Sequence, residues 1–407
     1  MAFGFKGGFR MEQSIPKELP IIEVTPGDCL LLTLPSGFKF VASKGNFVSY
    51  DTVVAVDSSG SQMLAGIGGI VMAVNEEQLE IMPTHMPEKE YQPIVNSLAD
   101  LSAKEIVNYI RLGGLICENG IPLWKMLAPL IECGERLIVN AVETEPGVTS
   151  VRAMLRAYPK KVIGGIKILL RVLSLGKAIV TVSDGMRRET DYLRGALNQK
   201  GMVRFYSVPN KYPLEDPRFL YPSLTGVYNA PSQNKSIIVS VSDCIGVYEL
   251  FVDGKVTLGR VITVDGNNYR VHPGTPIHSL AELCGITPAE HSVPHIGGLI
   301  NAKPAHKTAS ITYSTRAVQH LVPYSPKEKA CIQCGRCCNC CPVQLMPMRL
   351  IEAIRKNQTE RIEKGMPEAC IDCGLCDAVC PSEIGIRDIL QNYIRSRNNT
   401  EKAHEEV

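Results

Sequence analysis

Apolar and polar positions change their period several times along the chain, and each change predicts a different kind of structure. Between 16 and 83 the apolar runs are short (IIEV, CLLLTLP, FKFVA, DTVVAV, GGIVMAV) and are broken by Pro-Gly or Lys-Gly phrases. This predicts small β segments joined at glycine turns, in a barrel-sandwich of the biotinyl or lipoyl carrier type. The hairpin that would hold a carrier's modified lysine reads DSSGSQ, without lysine, so its expected role is structural. The polar, proline-bearing stretch at 84–100 (MPTHMPEKEYQP) reads as a linker. From 101 to about 240, 3.6-residue and continuous apolar patterns alternate. SAKEIVNYIRLGG reads as a helix capped by Ser102 and ending on Gly113-Gly114. ERLIVNAVE, KAIVTVSD and VRFYSVP read as buried strands, and VIGGIKILLRVLSLG and RRETDYLRGALNQKG as the helices between them. That alternation predicts a mainly parallel α/β sheet. Between 245 and 300, GVYELFVDGK, GRVITVDG and NYRVHPGTPIHSLAELCGI predict two strands and a short helix, a compact β-grasp-like module. Residues 301–330 read as a linker or extended crossing, and the tail NNTEKAHEEV as frayed.

The last quarter carries the chemistry. CIQCGRCCNCCP and CIDCGLCDAVCP each contain the C-x2-C-x2-C-x3-C-P spacing of ferredoxins with two [4Fe–4S] clusters. The pattern falls on Cys331, Cys334, Cys337 and Cys341, and again on Cys370, Cys373, Cys376 and Cys380. Three closely spaced thiolates wrap one face of a cubane, and the fourth cysteine of each run ligates the other run's cluster. The expected sets are therefore Cys331, Cys334, Cys337 and Cys380 for one cluster, and Cys370, Cys373, Cys376 and Cys341 for the other. Zinc ribbons use C-x2-C pairs but lack the third cysteine and the C-P ending. A disulfide framework suits small secreted chains instead. Cys338 and Cys340 are expected to be non-ligands.

Composition narrows the rest. At 407 residues the chain predicts two to four domains. Lys and Arg (43) nearly balance Asp and Glu (41), which gives no general attraction to nucleic acid. No apolar run approaches a membrane span, and MAFGFKGGFRMEQ is unlike a secretory signal. With the scattered Cys29, Cys117, Cys133, Cys244 and Cys284, the cluster motifs predict a reducing, cytoplasmic setting.

The order of parts resembles RnfC, the soluble subunit of the membrane-bound ferredoxin:NAD oxidoreductase. It is also similar to the cobalamin reductase of propanediol-utilising microcompartments and, over its middle, to the flavin-binding subunit of complex I. The resemblance is carried by FKGGF at 5–9, by YRVHPGTPIHSLAELCG at 269–285 and by the twin cysteine runs. It implies a multidomain α/β and α+β protein: a barrel-sandwich over 1–90, a flavin-subunit-like α/β domain over 100–243, an SLBB-type β-grasp module over 244–300 and a two-cluster ferredoxin-like domain over 320–395. It also implies FMN and NADH at the α/β domain, with Gly113, Gly114, Gly120, Asn140, Glu143 and Glu145 holding them. Protein redox partners are implied, within a multisubunit oxidoreductase that would place this chain at the periphery of a membrane complex.

Two stretches pull in opposite directions. The family's flavin loop, G-x-G-G-A-G-F-P-T, reads LICENGIPLW here, with Cys117, Glu118 and Asn119 where small residues belong and Leu123 beside Trp124. NAVETEPG, by contrast, keeps the family's N-x-x-E-x-E-P at Asn140, Glu143, Glu145 and Pro146. K-Y-P at 211–213 is kept, but the glycine and acidic pattern after it is not. The kept motif predicts an NADH-oxidising flavoprotein. The rewritten loop predicts a cluster-only relay, similar to the RnfC-like carrier associated with proline reductase.

Overall fold

A computed structural model describes residues 5–11, 14–84, 98–197, 201–228, 231–255 and 259–405. Most of the expected linker at 84–100 lies outside the described residues.

The centre of the molecule is a four-stranded, all-parallel sheet. In spatial order its strands are Val203–Val208, Ala178–Ser183, Arg136–Ala141 and Ser236–Ser240. The strands are continuous apolar runs because helices cover both faces; Leu137, Val139, Val180 and Val239 are all buried. Helices Pro159–Val172 and Val241–Phe251 pack into this core, and the Ala103–Leu112 helix closes it. The last of these begins with a capping box. The Glu105 amide donates to Ser102 Oγ (3.3 Å), while the Ser102 amide donates to Glu105 Oε2 (2.8 Å). Caps of this kind contribute about 1 kcal/mol. The strand order reverses at Arg136–Ala141: two strands extend to one side, and Ser236–Ser240 is added on the other. The carboxyl ends of these two neighbours define the crevice where open α/β sheets bind ligands.

Before this sheet, residues 30–83 form a four-stranded and a three-stranded antiparallel sheet around Leu30, Leu32, Val54, Met63, Leu79 and Ile81. The DSSGSQ hairpin faces the α/β unit. Asp57 Oδ1 accepts from the Ser59 and Ser61 amides (2.9 and 2.8 Å), and Asp57 pairs with Lys125 (2.6 Å). Arg111 donates to the Gly60 carbonyl (3.1 Å), and Trp124 Nε1 to Ser61 Oγ (2.9 Å). The hairpin is thus a clamp.

After the α/β sheet, Arg260–Val264 and Asn267–Val271 form the expected hairpin, but GVYELF does not add a strand. It completes the Val241–Phe251 helix, whose Ser240–Asp243 capping box sets it in helical register. The hairpin sits in a six-stranded sheet that takes Ile21–Glu23 on one side and Ala317–Leu321, Val293–Ile296 and Lys303–Pro304 on the other. Part of the expected 301–330 linker is therefore sheet. The C-terminal segment packs helices Pro347–Arg355 and Ile386–Glu405 over Leu345, Ile351, Ile384 and Leu390, with the cysteine loops at its edge. No described helix is long and apolar enough to cross a membrane.

Candidate functional site

The rewritten stretch folds as a tight hairpin turn. Cys117 N–H donates to the Ile121 carbonyl, Gly120 N–H to the Cys117 carbonyl and Leu123 N–H to the Leu115 carbonyl, each at 2.9 Å. Ile121 N–H donates to Asn119 Oδ1 (3.0 Å). Gly113 ends the first helix, where a Cβ would come within 2.7 Å of Leu250. A Cβ on Gly114 would lie 3.0 Å from Leu64, and Gly120 forms the turn at φ +77°. These three glycines serve packing and turning, and none lines the adjoining cavity. Cys117 is buried, and burial followed by the nearby Asp243 carboxylate pushes its thiol well above the ordinary value. Such a thiol is inert.

The cavity, about 320 Å³, opens at the strand reversal. Asn140 and Glu145, from the kept N-x-x-E-x-E-P, reach it. The Asn140 amide donates to the Glu215 carbonyl (2.8 Å), and its Oδ1 accepts from Val142 N–H (3.1 Å). Glu145 Oε1 accepts from the amides of Gly298 and Asn301 (3.1 and 3.2 Å). Burial and then Glu215 push the Glu145 carboxyl up to about 7. Burial also raises Glu215, which accepts a hydrogen bond from Thr144. Glu143 is withdrawn from the cavity. It accepts from Val151 N–H (2.8 Å) and lies 3.5 Å from Arg152, while burial pushes it up to about 7 against the pull of that guanidinium.

Glu118 crosses this space. Its Oε1 lies 3.3 Å from Arg260, and its Oε2 lies 3.2 Å from Arg316. Burial opposes the charge on Arg316, but Glu118, Glu215 and Glu143 more than offset it and hold its pKa above the ordinary range. Neither arginine is foreshadowed by periodicity. Arg316 stands in the Ser/Thr-rich stretch ITYSTRAVQ, and Arg260 opens a strand.

The far wall of the cavity belongs to the second cysteine loop, through Ile371, Asp372 and Cys373. Tyr212, from the kept K-Y-P, donates its hydroxyl to the Cys373 carbonyl (2.8 Å). Arg387 clamps the loop from behind. Its Nε donates to Asp372 Oδ1 (2.6 Å) and its Nη2 to the carbonyls of Asn301 (2.9 Å) and Asp372 (3.0 Å), while Lys303 pairs with Asp372. Residues 5–9 brace the other run. Gly8 N–H donates to the Cys340 carbonyl (2.8 Å), and Phe9–Arg10 pairs antiparallel with Lys211–Tyr212. Phe5 stacks on Phe219 (4.7 Å), and Lys211 both donates to the Phe5 carbonyl (2.6 Å) and lies over its ring.

The eight motif thiols fall into two neighbourhoods. Cys331, Cys334, Cys337 and Cys380 line one small cavity. Cys341, Cys370, Cys373 and Cys376 are within electrostatic reach of one another. Each neighbourhood takes three thiols from one run and one from the other, which suits the donor chemistry of two iron–sulfur cubanes. Among the described residues, no three Cys, His, Asp or Glu side chains converge as ligands of a single ion. Cys340 is buried, and its thiol donates to the Cys337 carbonyl (3.4 Å); Cys338 is half-buried.

Comparison with known proteins matches residues 116–253 to the Nuo51 FMN-binding domain and residues 330–384 to the 4Fe-4S dicluster domain. Together with the site, these define an iron–sulfur protein built on a flavin-subunit-type α/β domain. The chain is RnfC-like: its curated relatives carry the name of the RnfC component of the ion-translocating oxidoreductase complex. The Vibrio cholerae protein is 26% identical over 319 residues, covering 74% of this chain and 40% of its own length. That of Actinobacillus succinogenes is 27% identical, covering 83% and 50%. That of Pasteurella multocida is 31% identical, covering 68% and 35%. The chain thus spans half or less of the length of these relatives.

The α/β fold implies FMN, but the loop does not fit its phosphate. Four of the loop's amides are engaged within the hairpin, and a carboxylate already stands between the two guanidinium groups.

Proposed function

We propose that the chain is an iron–sulfur electron-transfer protein that passes single electrons between two [4Fe–4S] clusters. Cys331, Cys334, Cys337 and Cys380 hold one cluster; Cys370, Cys373, Cys376 and Cys341 hold the other. The observation that carries this reading is the grouping of eight thiols into two crossed sets, one of which opens through Cys373 onto the crevice of the α/β sheet. Electrons enter on the Cys373 side and leave past Cys331 and Cys334, which are exposed. The protein's own groups set the positions. Tyr212 and Arg387 fix the second loop against the α/β and β-sheet units, and residues 5–9 fix the first. The redox partners are proteins, and the relatives' name supports assembly into a multisubunit oxidoreductase, with this chain on the cytoplasmic side of a membrane complex. The two-sheet unit at 30–83 is read as the barrel-sandwich, and the six-stranded sheet as the SLBB-type module.

The placement of Asn140 and Glu145 at the cavity favours a second reading, an NADH-dependent oxidoreductase. One anaerobic sample separates the two when absorbance, iron and acid-extracted flavin are measured before and after NADH. The relay predicts about eight irons, no flavin and no bleaching. Near-stoichiometric FMN with NADH-driven bleaching would sink it.

A further inference from the structure

We infer that Glu118 supplies, from the chain itself, the negative charge that a flavin phosphate would bring, and that it thereby closes the cavity to FMN. This inference rests on the relay reading and names the residue responsible for it.

The first support is position. The Glu118 carboxylate bridges two guanidinium groups, with one oxygen on Arg260 and the other on Arg316, and its side chain is only 18% exposed. Paired arginines facing a crevice are a strong oxyanion site; here their partner is covalently part of the wall. The second support is the state of the backbone. Phosphates bind to free N–H groups of glycine-rich loops and helix starts. In this loop the amides of Cys117, Gly120, Ile121 and Leu123 all donate within the hairpin.

The third support is rigidity. Immediately after the turn, Trp124 donates to Ser61 and Lys125 pairs with Asp57, so the loop is tied to the neighbouring β unit. The fourth is charge. Glu145, Glu215, Asp216 and Asp243 also line the space, and among the described lining residues the only cation is Arg316, which Glu118 already occupies. Replacing Glu118 by glutamine keeps the shape, removes the charge and leaves Arg260 and Arg316 to an incoming anion.

The test titrates the cluster-loaded full chain with FMN and with riboflavin, which lacks the phosphate, and follows quenching of flavin fluorescence. Wild type is expected to bind FMN no tighter than riboflavin, or to bind neither. Glu118→Gln is expected to gain tenfold or more in FMN affinity, with riboflavin changed less than twofold. A wild-type preference for FMN overturns the inference, and so does a Glu118→Gln variant whose FMN affinity does not rise or rises equally for riboflavin. The wild-type ratio decides even if the variant fails to fold. Tight FMN binding without NADH bleaching would refute this inference and leave the relay standing. Absence of clusters would refute the relay and leave the flavin result intact.

Discussion

Replacing Gly7 by alanine tests whether the N-terminal strap braces the second cluster. Gly7 adopts φ +72°, a left-handed conformation that costs an L-residue about 1–2 kcal/mol. A Cβ there would also lie 2.7 Å from the carbonyl carbon of Cys341 and 2.9 Å from the carbonyl oxygen of Cys340. Both obstacles are backbone atoms and cannot rotate away, and overpacking of this kind costs roughly a further 1–3 kcal/mol. Gly37 provides the control, since it adopts φ +81° but a Cβ would meet nothing within 4 Å. Gly37→Ala should therefore lose only about 1–2 kcal/mol, and Gly7→Ala about 2–5 kcal/mol. Because the strap presses on Cys341, the second loss should also appear as faster release of iron to a chelator. The assay pairs thermal unfolding with chelator-driven iron loss for wild type and both variants. If Gly7→Ala and Gly37→Ala unfold together and release iron at the same rate, the bracing argument is wrong.

Burial and Glu215 raise Glu145 to about 7, so the folded carboxyl keeps its proton at pH values where the unfolded chain has lost it. Stability therefore falls as pH rises from about 4.5 to about 7 and flattens above, and Glu145→Gln should reduce the loss between pH 5.5 and 7.5 by about 2 kcal/mol. Denaturant unfolding at the two pH values checks this, and an unchanged slope would contradict it. Arg387→Ala removes the partner of Asp372 at a largely buried pair and should cost about 3–5 kcal/mol. A variant within about 0.5 kcal/mol of wild type would show that the clamp does not hold the second loop. Under native conditions iodoacetamide should modify exposed Cys133 and spare Cys117 until the chain is unfolded; mass spectrometry of the peptides reads the result, and native labelling of Cys117 would contradict its assignment as an inert core thiol.

The elements read from sequence are those whose own pattern decides them. Arg136–Ala141, Ala178–Ser183 and Val203–Val208 are apolar runs long enough to mark buried strands, and Ser102 with Glu105 marks a helix start. Elements decided by distant partners were not legible. Ala317–Leu321 is short and lies after a Ser/Thr-rich stretch, and it becomes a strand only because Arg260–Val264 and Val293–Ile296 flank it. Ile21–Glu23 was legible as a strand, but not its pairing with Asn267–Val271 across the chain. GVYELF looks like a strand by composition, and the Ser240 cap upstream makes it helix. At the site, the cysteine spacing is a local signal and could be read directly. Gly113 and Gly114 look like a cofactor loop, yet their close neighbours are Leu250 and Leu64, which no local pattern reveals. Glu118 was visible as an intruding carboxylate, but its partners Arg260 and Arg316 lie far along the chain.

The central claim is that two clusters are held by crossed sets of cysteines. The most direct measurement is iron and acid-labile sulfide content together with low-temperature EPR of the dithionite-reduced protein, for wild type and Cys373→Ala. The account predicts about eight irons and a spin-coupled pair of [4Fe–4S] signals in wild type, and about four irons with one uncoupled signal in the variant. Zinc in place of iron, or an iron content unchanged by Cys373→Ala, would contradict it.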